Sequence, residues 1–157
     1  MSQDWRAALP ELAPLLGRLH AGTPLILARV DALPTAQEDF ALPFEAELRA
    51  DLQSLHSLTP EVRPGLHQLR DLLGPHEPHL QTLMTRITKL QTATRARSHE
   101  FVVCHTDAHG GNVIRDVANQ LWIIDWETAR LAPREHDLWM LHARLPEVLP
   151  AYQAALG

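Results

Sequence analysis

Cysteine occurs once in these 157 residues, at Cys104, so no internal disulfide framework can staple the chain. It lies in the apolar run Phe101-Val102-Val103-Cys104 and reads as a small buried hydrophobe, not as a reactive thiol. No apolar stretch approaches the length of a membrane span, and Met1-Ser2-Gln3-Asp4 lacks the basic-then-apolar pattern of a secretion signal. The expectation is a soluble, cytoplasmic protein with no membrane partner. Positive charge is scarce too. The net charge is −5, lysine appears only as Lys89, and the arginines are dispersed. That argues against nucleic acid, since a binder needs a basic face to neutralise phosphates. Before residue 100 the glycines Gly17, Gly22, Gly65 and Gly74 are isolated, so nothing there can form a glycine-rich phosphate loop.

What remains is the composition of one globular domain. Hydrophobic residues make up 45% and charged residues 21%, enough apolar material for a core and too little charge for disorder. Leu12, Leu15, Leu16 and Leu19 share a helical face, with Pro10 or Pro14 near its start and Gly22 beyond its end. A second helix is predicted from about Ala36 to His56, with Pro43 as a break or kink. Thr59 as N-cap and Pro60 at the first position predict a third, carrying Val62, Leu66, Leu69, Leu72 and Leu73 to the stop at Gly74-Pro75. The cleanest apolar stripe follows Pro78, through Leu80, Leu83, Met84, Ile87 and Leu90. Two final helices are predicted over 134–145 and 146–156. The fold class is mostly α with one small antiparallel β hairpin, an α+β arrangement.

The chemistry concentrates in His105-Thr106-Asp107-Ala108-His109-Gly110-Gly111-Asn112, followed by Ile124-Asp125-Trp126-Glu127. An H-x-D-x-x-x-x-N loop with a second aspartate after the next strand supplies what phosphoryl transfer asks of a protein. Asp107 is the carboxylate that orients an attacking hydroxyl. Asn112 and Asp125 are oxygen ligands for Mg²⁺. Val113-Ile114 and Leu121-Trp122-Ile123-Ile124 read as the two strands of the hairpin. A turn centred on Ala118 and Asn119 would put Asn112 opposite Asp125. His105 reads as a brace for the loop. His109, between Asp107 and Asn112, can reach phosphate or solvent and is assigned with Asn112 to the nucleotide cofactor. Thr106 has no role in this reading. The same segment contains H-x-D-x-H, a superficial zinc-hydrolase pattern. That alternative leaves Asn112 and Asp125 unexplained and finds no further histidines on a shared face.

This segment resembles the catalytic loop and metal-binding segment of the aminoglycoside phosphotransferase and choline kinase-like family, relatives of protein kinases. Leu131-Ala132-Pro133-Arg134-Glu135-His136-Asp137-Leu138 extends the likeness, and its wording is nearest the spectinomycin phosphotransferase branch. Leu16-Gly17-Arg18-Leu19-His20 resembles the helix that follows the family's hinge. The resemblance implies the roles given above for Asp107, Asn112 and Asp125, and makes Asp137 a structural aspartate bracing the catalytic loop. It also implies ATP with Mg²⁺ as cofactors and a small-molecule alcohol as acceptor.

Only one lobe of that family is expected here, as a single carboxyl-terminal-lobe domain over 1–157. Its parts are a helical acceptor-binding region over about 1–97, the catalytic loop and hairpin over about 99–127, and the terminal helices over about 134–156. The glycine-rich loop, strand lysine and partner glutamate of the amino-terminal lobe have no counterpart. The expectation is an acceptor-binding half that is inactive without the missing lobe, with a separately encoded amino-terminal lobe or a homo-oligomer as its macromolecular partner. The alternative is a non-catalytic remnant or regulatory module. Exposed acids among Glu38, Asp39, Glu45, Glu47 and Asp51 suit a cationic substrate. The face left by the missing lobe is expected to be apolar around Leu9, Leu12 and the hairpin.

Overall fold

Pro10 occupies the second position of α1 (Leu9–Ala21), where its missing N–H costs nothing, and Gly22 closes the helix by donating to the Arg18 carbonyl. In the computed structural model, which describes residues 5–30, 36–59, 61 and 63–157, the α1 face of Leu9, Leu12, Ala13 and Leu16 is buried. Leu9 and Leu12 are therefore not part of an exposed patch, contrary to the sequence expectation. The face is covered by Val148 and Tyr152 of α7 (Leu145–Leu156) and by Leu141. Gly17 sets the approach of the two helices, because a Cβ there would lie 2.6 Å from the Tyr152 carbonyl oxygen. The same core takes in Ala108 from the loop after Cys104 and Ile123 from the hairpin, so apolar burial anchors the His105–Asp125 segment directly.

Short strands frame that segment. β1 (Val102–Cys104) leads into the loop, and β2 (Val113–Arg115) and β3 (Leu121–Ile123) form the expected hairpin. The fourth strand, β4 (Arg130–Ala132), was not legible in the sequence and pairs antiparallel with β1 through Val103 opposite Leu131. The chain is thus mostly helical with small antiparallel β elements, as expected, and β1–β4 adds a second two-stranded sheet to the hairpin. A short α2 (Thr23–Leu27) follows α1, and its Thr23 hydroxyl accepts the Val103 N–H at 2.9 Å.

Residues 39–96 make a second compact unit, distinct from the one formed by 1–38 and 97–157. It contains α3 (Glu45–Leu55), α4 (Pro64–Leu73) and α5 (Glu77–Arg95). Its predicted helices need two corrections. The helix expected from Ala36 starts only at Glu45, because 36–38 gives its hydrogen bonds to β4. The Glu38 N–H donates to the Leu131 carbonyl, and the Leu131 N–H to that of Ala36, both at 2.8 Å. Phe40 then takes a left-handed φ of 57°, and the Ala41 N–H bonds the Asp39 carboxylate, so the chain turns before Pro43. The helix expected from Thr59 starts at Pro64; Pro60 and Val62 lie outside the described residues. The apolar stripes are only partly covered. Leu55 and Met84 are buried, whereas Leu66, Leu69, Leu72, Leu83 and Leu90 stay exposed.

The carboxyl-terminal helices also differ from expectation. After α6 (Glu135–Leu138) the chain tightens into a 3₁₀ helix over Trp139–Arg144, and a regular helix resumes at Leu145 with Pro146 in its first turn. None of the described helices is long and apolar enough to cross a membrane.

Candidate active site

β1 delivers His105 into the core, where it is 0% exposed. Its Nε2 donates to the Ile124 carbonyl at 2.9 Å, and its Nδ1 accepts the Asp107 N–H at 3.3 Å. One neutral tautomer satisfies both bonds, so the ring ties the loop to the hairpin, as a brace should. Trp126 stands edge-on to it with centroids 4.6 Å apart, and its indole N–H reaches the Ile123 carbonyl. Trp126 therefore packs on the brace.

Thr106, which had no role in the sequence reading, carries the loop's strain. Its φ is 70°, a region β-branched residues avoid. Such a conformation persists only when its surroundings over-determine it. Here the Thr106 N–H donates to Asp137 Oδ1 at 2.7 Å, and its hydroxyl to the Thr128 carbonyl at 3.1 Å. Thr128 answers by donating its own hydroxyl to the His105 carbonyl at 3.2 Å.

Asp137 is the organising group behind the loop. It is fully buried, and its Oδ2 accepts the His105 N–H at 2.9 Å and His20 Nε2 at 3.0 Å. His20 Nδ1 in turn meets the Tyr152 hydroxyl at 2.7 Å. Buried charge is tolerated when it is paired and hydrogen-bonded on all sides, which this chain of contacts from α1, α6 and α7 achieves. Neither His20 nor Tyr152 was singled out as support from the sequence. The available signal was position: His20 continues the buried α1 face four residues after Leu16, and Tyr152 follows Val148 by four.

In front of this brace stand the groups assigned to chemistry. Asn112 is 8% exposed and donates its amide N–H to both the Asp107 carbonyl, at 2.9 Å, and Asp107 Oδ2, at 3.1 Å. His109 accepts the Gly111 N–H on Nδ1 at 2.8 Å, which leaves the proton on Nε2, 3.6 Å from Asp107 Oδ2. A side chain at Gly111 would put its Cβ 2.6 Å from the His109 ring, so it would displace that ring from its present place beside Asp107.

The hairpin register is one residue off the expected one. Val113 pairs with Ile123, and the Ile124 N–H donates to the Asn112 carbonyl at 2.9 Å, so Asn112 faces Ile124 and not Asp125. The cause lies at the tip. The Asp116 carboxylate accepts the N–H groups of Ala118 and Gln120, and Asn119 adopts a left-handed φ of 62°, which closes the turn around 117–119. Asp125 still follows directly at the hairpin's open end, exposed, with a left-handed φ of 65° that turns the chain off β3. Oxygen donors of this hard type suit Mg²⁺: with the Asn112 nitrogen occupied by Asp107, its amide oxygen is the atom left for a cation, and Asp125 follows Ile124, the backbone partner of Asn112.

Two of the acids proposed for a cationic substrate are already engaged. Glu38 lies within 3.2 Å of Arg130 and 3.4 Å of His136, and Glu45 bonds Arg49 within α3.

The sequence profile of the phosphotransferase enzyme family matches residues 3–157. Among solved structures, spectinomycin phosphotransferase APH(9)-Ia in complex with ADP and spectinomycin matches at 18% identity with a TM-score of 0.56, covering 94% of this chain and 47% of that one. Its AMP-bound complex matches at 17% identity with a TM-score of 0.56, covering 100% of this chain and 50% of that one. The chain therefore spans about half the length of these solved relatives. No curated protein matches the sequence.

Proposed function

The chain belongs to the phosphotransferase enzyme family, and from that premise we propose that it carries the acceptor-orienting and metal-binding half of a site that moves the γ-phosphoryl group of ATP to a hydroxyl of a small molecule, an aminoglycoside or aminocyclitol being the expected class. The observation that carries this reading is the Asn112 amide on Asp107 Oδ2, with Asp125 one residue beyond the backbone partner of Asn112. Asn112 occupies Oδ2, so Oδ1 of Asp107 is the oxygen that orients the acceptor hydroxyl and receives its proton. The Asn112 amide oxygen and the Asp125 carboxylate would hold Mg²⁺. A cation held there would supply positive charge against the nucleotide phosphates. His105, Thr106 and Asp137 keep Asp107 in place before substrate arrives, which is where positional catalysis gets its advantage. His109 lies on the same edge of Asp107, within reach of a nucleotide phosphate.

Catalysis in this class needs the nucleotide gripped from a second side, and no glycine-rich loop or early strand lysine occurs in this sequence. The 157 residues alone are accordingly inactive in this account, with the nucleotide-binding lobe supplied by other polypeptide. Mn²⁺ tests the metal half without turnover. Added to the isotopically labelled chain with ADP, it should broaden NMR signals around Asn112 and Asp125 first, and Asp125→Asn should remove that focus. Broadening centred elsewhere, or unchanged in the variant, refutes the assignment.

A further inference from the structure

Behind the catalytic loop, three buried side chains of different elements point their donor atoms at one place: His20 from α1, Cys104 from the end of β1 and Asp137 from α6. We propose that this trio is a structural site for a divalent cation of the zinc class, which joins the three elements at the aspartate that holds the loop. The inference does not depend on the phosphotransferase reading. His20 Nε2 lies 3.0 Å from Asp137 Oδ2 and 3.9 Å from Cys104 Sγ, and all three donor atoms lie within 4.8 Å of one another. In a tetrahedral zinc site, ligand atoms sit roughly 3.3–3.8 Å apart. The imidazole and carboxylate already approach that spacing, and the sulfur needs only a modest inward turn. The thiol's present contacts, to the carbonyls of Ala132 at 3.6 Å and Pro133 at 3.4 Å, are weak and easily given up.

The trio brings an imidazole, a thiol and a carboxylate to one point, a donor set of the zinc class, and coordination displaces the thiol proton. The bookkeeping closes simply. Cys104 releases one proton to solvent as the metal–sulfur bond forms. Neutral His20 keeps its proton by moving it from Nε2 to Nδ1, where the Tyr152 hydroxyl, 2.7 Å away, accepts it. Asp137 Oδ2 exchanges the His20 hydrogen bond for the ion and retains the His105 N–H. Because the site is closed to solvent, the ion enters as the chain folds.

Cobalt(II) is the probe, because Cys104 is the chain's only cysteine and a thiolate-to-cobalt charge-transfer band in the near ultraviolet can arise from no other residue. The whole chain, refolded with Co²⁺, should show that band, saturating at one ion per chain and erased by Zn²⁺. Cys104→Ser, checked for native circular dichroism, should lose the band and bind more than tenfold more weakly. Zn²⁺ should raise the thermal midpoint of the natural chain and not that of the variant. Absence of the sulfur band in the natural chain overturns the proposal, as does a band that survives Cys104→Ser. One ion per two chains would also overturn it, since the thiolate would then be exposed and shared.

Discussion

Asp137 shows how a single carboxylate can govern a loop it does not join. It touches neither Asp107 nor Asn112, yet its two oxygens hold the His105 and Thr106 amides and the His20 ring. Without it, Thr106 would lose a main support for its left-handed backbone, and the buried His105 amide and half-buried Thr106 amide would lose their acceptor. Asp137→Ala should therefore cost about 3–5 kcal/mol, since each buried donor left without an acceptor costs about 1–3 kcal/mol. Denaturant unfolding of the two chains measures this directly, and a loss below about 1 kcal/mol would contradict the bracing role. The sequence offered Asp137 only through family resemblance. Thr106 was opaque for a physical reason: nothing in a threonine's local pattern signals a positive φ that distant groups impose.

At the scale of elements, the α1–α7 contact is the firmest prediction ground. Gly17→Ala would drive a methyl to 2.6 Å from the Tyr152 carbonyl oxygen and 2.9 Å from Ala155 Cβ. Backbone cannot yield as a flexible side chain would, so the expected loss is about 1–3 kcal/mol, even though alanine favours helix. A stabilised Gly17→Ala chain in thermal unfolding would show that the helices are not held this closely. Burial in the same contact raises the Tyr152 phenol to about 12. The folded state thus prefers the neutral phenol more than the unfolded chain does, where its pKa is about 10. That preference contributes in full below pH 10 and disappears as pH rises to 12, a loss on the order of 2 kcal/mol. Melting curves across this window should fall more steeply for the natural chain than for Tyr152→Phe; parallel curves would count against it.

The elements that sequence missed have a common cause. α1 and α5 announce themselves by sustained apolar periodicity, and Val102-Val103-Cys104 by its apolar run. β4 is three residues, Arg130–Ala132, with no alternation to see, and it exists because β1 and residues 36–38 flank it. The stretch before Glu45 carries Phe40 and Phe44 at helical spacing, but its amides are satisfied by β4 and by the Asp39 turn. Long-range pairing overrode local pattern there. The one-residue register error has a local origin instead. Asp116 and Asn119 chose a longer turn than a two-residue hairpin assumes, and every pairing beyond the tip shifted with it.

For the whole molecule, the His105–Asn112 loop shares a core with α1, α7 and the hairpin through Ala108 and Ile123. In the proposed reading this is the acceptor-orienting half of a site. No glycine-rich loop or early strand lysine occurs in these 157 residues to grip nucleotide from the other side, and losing even one preorganised electrostatic contact typically costs about two to three orders of magnitude in rate. The outer face of the hairpin, by contrast, leaves Ile114, Trp122 and Ile124 exposed. These are apolar side chains that the core does not use.

The most direct test is ATP-dependent phosphoryl transfer to an aminocyclitol, assayed with the purified chain alone and with a family nucleotide-binding lobe supplied. The expected result is no turnover alone, transfer when the lobe is present, and loss of that transfer in Asp107→Asn. Phosphorylation by the 157 residues by themselves would contradict the account, and so would restored transfer that is indifferent to Asp107.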